Sequence, residues 1–233
     1  EEACEALTTP ADIRAYQQRL RELLVRQLGG FPERTSLNAR TVGTIEADGH
    51  RIEKVIFESL PRHHITANLY LPEGNGPFPG VVVSSGHSRT AKTADYNQRF
   101  GIMMAVHGMA ALCFDPIGQG ERSQILDDKG QPRFSGTTTE HFLIGVGSIL
   151  VGRNTARYRI WDAMRSIDYL VSRPEVDPQR IGMTGCSGGG TLSSYVMALD
   201  DRVSCAAPAC YLTTFRRLIE TIGPQDSEQN IFG

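Results

Sequence analysis

Arg180-Ile181-Gly182-Met183-Thr184-Gly185-Cys186-Ser187-Gly188-Gly189-Gly190-Thr191 is the stretch on which the reading of the chain turns. A short apolar run closes at Thr184. Gly185-Cys186-Ser187-Gly188-Gly189 then fits the pattern G-x-S-x-G, and a helical pattern covers residues 190–199. Strand, tight turn and helix, with a serine at the apex, is the setting in which this pattern makes a nucleophile elbow. The turn strains the serine backbone and lifts its hydroxyl clear of the sheet. Only small residues fit beside the apex, because the chain doubles back there. A Gly-rich strand-to-helix turn can instead cradle phosphate, but such loops carry a lysine beside the Ser or Thr, and none stands here.

Outward from the elbow, strands and helices alternate. Residues 80–85 form a continuous apolar run, as in a strand buried on both faces, and it ends in Gly86-His87-Ser88. A helix is expected over 95–107 and a second buried strand over 109–114, ending in Asp115-Pro116-Ile117-Gly118-Gln119-Gly120-Glu121-Arg122. A polar, Gly-rich loop runs to residue 135, and helices are expected over 137–150 and 159–172. Past the elbow helix come a short strand over 203–207 and a helix over 211–222. Upstream, Ile13, Tyr16, Leu20, Leu23, Leu24 and Leu28 recur at helical spacing over 11–28, and Gly29-Gly30 ends the pattern. Residues 40–46, 51–59 and 65–71 read as strands, the first two joined by an Asp48-Gly49 hairpin turn. An antiparallel start followed by alternation gives an α/β fold, a mostly parallel sheet flanked by helices. The expected organisation is a helical extension over 1–39 and one α/β domain over 40–233.

The composition excludes several classes. With 233 residues the chain is long enough for one domain with a real core. A formal net charge of −2 and the lack of any basic run give no footprint for nucleic acid. No apolar stretch reaches membrane-spanning length, so no membrane partner is expected. The chain opens on Glu1 rather than Met and shows no signal peptide, which suggests a processed or trimmed form. The five cysteines, Cys4, Cys113, Cys186, Cys205 and Cys210, lack zinc-ligand spacing. Cys113 lies in an apolar run and reads as a buried free thiol, whereas Cys205 and Cys210 are candidates for pairing. The compartment is left open, with a secreted or periplasmic one preferred.

Ligands of such sheets bind at the carboxyl ends of the strands. Gly86-His87-Ser88, Asp115 and Ser187 all stand at such ends and should converge. Ser187 is the candidate nucleophile. The N–H of Gly188 opens the elbow helix and is one oxyanion donor; the second comes from the loop after residue 85, at His87 or Ser88. His87 is out of order as a triad base, because the acid and the His normally follow the nucleophile in chain order; otherwise it shapes the loop or contacts substrate. Cys186 is set aside as a nucleophile because the elbow projects only its apex and no cation neighbours the thiol in sequence. Asp115 reads as a turn carboxylate capping local N–H groups or as a group orienting the nucleophile loop, Glu121-Arg122 as a local ion pair or a surface turn, Arg153, Arg157 and Arg159 as a solvated face unless an acidic sugar site uses one, and Trp161 as core or as a sugar platform. One element is missing. All six histidines, at 50, 63, 64, 87, 107 and 141, precede Ser187. No carboxylate stands at the end of the strand over 203–207, and Glu220, Asp226 and Glu228 follow with no strand before them.

These residues resemble the α/β-hydrolase superfamily over 51–212. Within it the chain is similar to bacterial carbohydrate esterases of the acetyl xylan esterase type, related to cephalosporin-C deacetylases. The resemblance is carried by Thr66-Ala67-Asn68-Leu69-Tyr70-Leu71-Pro72, by Gly80-Val81-Val82-Val83, by Asp115 through Arg122, and by Trp161-Asp162-Ala163 through Gly190. It implies a serine esterase that removes acyl groups, acetyl above all, from carbohydrate through a Ser187 acyl-enzyme, on a small-molecule or polysaccharide ester, with no metal and no cofactor. Glucuronoyl esterases also place Cys before the nucleophile but Arg just after it, where this chain has Gly188. A non-catalytic, hydrolase-like binding scaffold is the alternative from another class. The superfamily's acid and His have no matching positions here. The expectation is therefore a fold lacking its C-terminal strands, completed by a C-terminal segment or a second chain.

Overall fold

The structure, a computed structural model, describes residues 7–134, 137–221, 226–229 and 231. Cys4 and the last residue of the helix expected over 211–222 lie outside the described residues. Seven strands form one sheet: β1 (Arg40–Ala47), β2 (His50–Leu60), β3 (His63–Pro72), β4 (Phe78–Ser84), β5 (Ala110–Phe114), β6 (Val176–Cys186) and β7 (Val203–Ala209). Their order is β1-β2-β3-β5-β4-β6-β7. Pairing is antiparallel through β3 and β5, then parallel from β5 through β4 and β6 to β7. The central strands are apolar for a physical reason. All five residues of β5 and five of seven in β4 are buried, because helices cover both faces.

One face is covered by α2 (Asp95–Val106), which packs with Tyr70, Val81, Val83, Ala111 and Cys113. The other is covered by α4 (Thr155–Val171) and α5 (Gly188–Leu199), which share a larger core with Phe57, Leu69, Val82, Leu112 and Met183. The remaining helices are α1 (Pro10–Gln27), α3 (Thr137–Leu150) and α6 (Phe215–Thr221). A capping box formed by Thr9 and Asp12 starts α1. None of its residues is fully buried; Leu24 within it and the buried C-cap residue Leu28 carry its contact with the core. No helix among the described residues is long and apolar enough to cross a membrane.

Two elements, α4 and β6, start well before their sequence patterns. α4 begins at Thr155, four residues before the expected start, because Asn154 caps it: its side chain accepts from the N–H of Arg157 at 3.0 Å. β6 reaches back to Val176, paired with Phe78 across the polar turn that hides this in the sequence. The cysteine pairing is corrected outright. Cys113, Cys186, Cys205 and Cys210 are all free, with Cys113 buried.

Candidate active site

β6 ends at Cys186 and α5 begins at Gly188, which leaves Ser187 alone between them at φ 57 and ψ −120. That conformation costs a non-glycine residue about 1–3 kcal/mol and persists only where the surroundings enforce it. They do so here. The Ser187 N–H donates to Ala209 O at the end of β7 at 3.0 Å, and Ser187 O accepts from the N–H of Thr191 at 2.9 Å. The flanking glycines are required by space. A Cβ on Gly185 would stand 2.6 Å from Gly189 O, and one on Gly189 would overlap Ser84 O. Ser187 itself is exposed, beside a cavity of about 400 Å³ lined also by His87, Gly188, Thr191, Tyr211 and Leu218.

The loop after β4 lies against this elbow, since a Cβ on Gly86 would meet Cys186 O at 2.6 Å. Gln119, 1% exposed, pins it from behind: its Nε2 donates to Gly86 O at 2.9 Å and to Ser88 O at 3.0 Å. No protein acceptor among the described residues meets the backbone N–H of His87 or of Ser88. Donors of this kind beside a helix N-terminus suit a developing negative charge. The loop and the elbow thus come together as their positions at strand ends imply.

Behind the loop lies a buried charged cluster. A Cβ on Gly188 would lie 2.6 Å from His87 Cε1, so the His87 ring fills the space beside the elbow. His87 Nε2 contacts Asp226 Oδ2 and lies 3.7 Å from Glu228 Oε1 and 3.4 Å from Arg159 Nη1. His141 of α3 is wholly buried, with Nδ1 bonded to Asp226 Oδ2 at 2.5 Å and Nε2 to Ile117 O at 2.6 Å. Arg159 pairs with Glu228 and lies 3.9 Å from Asp226 Oδ2. Burial works against an ionised Asp226, but hydrogen bonds from His141 and His87 outweigh it and hold the carboxyl well below the usual range. Glu228 is the opposite case. Burial pushes it up to about 7, with Arg159 pulling downward and Asp226 adding to the rise.

His87, His141 and Asp226 offer three metal-ligand atoms within 4.8 Å of one another. Donors sharing an ion at ~2.1 Å in tetrahedral geometry stand ~3.4 Å apart. The contact between His141 and Asp226 is a direct hydrogen bond, and Arg159 already supplies a cation to both carboxylates.

Several sequence expectations are corrected. Arg159 is not on a solvated face; it is 1% exposed. Its signal was its place three residues after Ala156 and four before Ala163, on the buried stripe of α4. Glu121 and Arg122 do not pair with each other. Glu121 contacts Lys92, while Arg122 pairs with Asp162 at 2.8 Å. His141, Gln119, Asp226 and Glu228 were missed as site residues, and only the closeness of Asp226 and Glu228 in sequence could have marked them. Asp115 is a buried cap, accepting from the N–H groups of Lys92 and Glu121 and from Thr66. Trp161 is core, 3% exposed, with its indole N–H donated to Ser59 O. Burial and the neighbouring Cys210 thiol push the Cys186 thiol up, away from the reactive thiolate.

Residues 25–232 match the family model described as acetyl xylan esterase. YtaP of Bacillus subtilis strain 168, a protein named only as a hydrolase, is 26% identical over 212 residues, covering 86% of this chain and 66% of that protein. The acetyl xylan esterase from Paenibacillus sp. R4 superposes with a TM-score of 0.61 at 25% identity, over 97% of this chain and 68% of that one. The methylesterase BT1017 superposes with a TM-score of 0.71 at 21% identity, over 90% of this chain and 44% of that one, a likeness of fold alone. The fold is that of the α/β-hydrolase esterases, and the chain spans less than two thirds of YtaP and less than half of BT1017.

Proposed function

This chain belongs to the acetyl xylan esterase family, and from that premise we propose that it hydrolyses acetyl esters on carbohydrate through a covalent Ser187 intermediate. The observation that carries the reading is Ser187 at φ 57 between β6 and α5, lining a cavity together with His87 and Gly188. Ser187 Oγ attacks the ester carbonyl and the tetrahedral oxyanion settles against the N–H of Gly188 and that of His87 or Ser88. Collapse expels the sugar hydroxyl and leaves acetyl-Ser187, and water then releases acetate. We assign the proton acceptor to no residue: in such hydrolases the acid and the His follow the nucleophile in chain order, and all six histidines of this sequence precede Ser187.

The His87 ring bears on the choice of acyl group. It fills the space that a side chain at position 188 would need, the position at which glucuronoyl esterases carry Arg. This favours a small neutral acyl group over an acidic one. The test is to treat the intact protein with a fluorophosphonate and with p-nitrophenyl acetate. Labelling at Ser187 and a burst of p-nitrophenol are expected. A protein that binds acetylated xylan yet shows neither would be a scaffold rather than an esterase.

A further inference from the structure

The buried cluster behind His87 is unused by the steps above, although it lies one residue layer from the elbow. Asp226 Oδ2 is shared by two imidazoles, His87 Nε2 and His141 Nδ1. Both nitrogens of His141 face oxygens, a carboxylate and the Ile117 carbonyl, so the ring is fixed between Asp226 and the turn at 117–119. The Ile117 carbonyl belongs to the same turn as Gln119, whose side chain holds the Gly86 and Ser88 carbonyls, two of the three in the loop at 86–88. On the other side, Arg159 holds Glu228 against His87. Asp226 is fully buried, and Ser227 between the two acids donates to His141 O at 3.1 Å. The loop bearing the proposed oxyanion donors is thus gripped at its carbonyls by Gln119 and at its only long side chain by Asp226.

We propose that Asp226 is a positioning residue for ester hydrolysis, fixing the His87 ring and thereby the donor loop at 86–88 against the elbow. The proposal rests on the serine-esterase reading given above. Its physical basis is that an oxyanion hole acts only when its donors stand at hydrogen-bond distance from where charge develops. Asp226 touches neither the elbow serine nor the cavity, so its effect runs through His87. Removing one oxyanion donor costs on the order of 10²–10³ in kcat. Loosening the loop that carries it should cost ~10–100-fold, borne by kcat rather than KM.

The experiment compares Asp226→Asn with a control, Glu53→Gln, in the intact protein. Glu53 pairs with Arg173 at 2.7 Å on β2, away from the site, so the control registers loss of a buried ion pair alone. Expected for Asp226→Asn are a ~10–100-fold lower kcat on p-nitrophenyl acetate, KM within ~3-fold, and fluorophosphonate labelling of Ser187 slowed by a similar factor. The control should lose thermal stability and keep its kinetics. A folded Asp226→Asn protein with wild-type kcat and labelling rate overturns the proposal. If that variant does not fold, hydrogen exchange in the wild type decides. Amides at 86–88 and 226–229 should open together, and independent, rapid exchange at 86–88 counts against the clamp. If the wild type neither reacts with the fluorophosphonate nor cleaves ester, the esterase reading fails, while the exchange result still judges the clamp.

Discussion

A serine held at φ 57 is costly to keep unless its hydroxyl is used. Ser187→Ala is therefore expected to lower ester hydrolysis by on the order of 10⁴-fold or more with the circular dichroism spectrum unchanged; near-normal turnover would remove Ser187 as the nucleophile. Glu228 carries a second prediction. Burial raises it from an ordinary 4.5 to about 7, ahead of the downward pull of Arg159. The native state therefore holds this proton more tightly than the unfolded chain between those values. The resulting stability is full below 4.5 and is lost as pH rises through 7, an effect of about 3 kcal/mol. Urea melts of wild type and Glu228→Gln at pH 4.5 and 8 measure it: the wild type should lose more stability than the Gln variant, and equal losses would mean that Glu228 does not titrate there. Of the site, Ser187, Gly188, His87 and Ser88 were legible because a short motif and two strand ends mark them. Arg159, His141, Asp226 and Glu228 were not, because a polar residue on a helix or in a tail looks the same whether solvated or buried. Its partners lie far away in sequence, and only folding brings them together.

At the scale of elements, the elbow depends on the close approach of α5 to the end of β4. Gly189→Ala would drive a methyl group into Ser84 O, so the variant should lose at least ~3 kcal/mol of stability or fail to fold, read as a drop in urea midpoint. A Gly189→Ala protein as stable as wild type would show that α5 can shift from the strand. The strands were readable because burial on both faces demands unbroken apolar runs, as in β4 and β5. The start of α4 was obscured because residues 155–158 include two polar side chains and only the Asn154 cap identifies them as helical. The back half of β6 was obscured by Asp177 and Pro178, which read as a turn and yet lie within the strand.

For the whole molecule, the carboxyl ends of β4 and β6 and the turns at 117–119 and 226–229 meet in one place, while β7 stands at the sheet edge with most residues exposed or half-exposed. An apolar groove of about 340 Å³ runs beside it, lined by Phe100, Met104, Met109, Met183 and Cys205. An unpaired edge next to apolar surface favours association. This chain is expected to self-associate in size-exclusion chromatography through that edge and groove. A protein that elutes as a monomer would count against that role for the edge. The shared carboxylate of Asp226 has one more consequence, in time rather than in space. His141 and Asp226 are 85 residues apart, and His87 is still more distant from Asp226, so their junction closes one of the longest loops in the chain. Such contacts form late, after neighbouring strands and helices have condensed. On refolding from urea, far-ultraviolet ellipticity should return first and Ser187 labelling by fluorophosphonate in a slower phase, with competence arriving as the last event of folding.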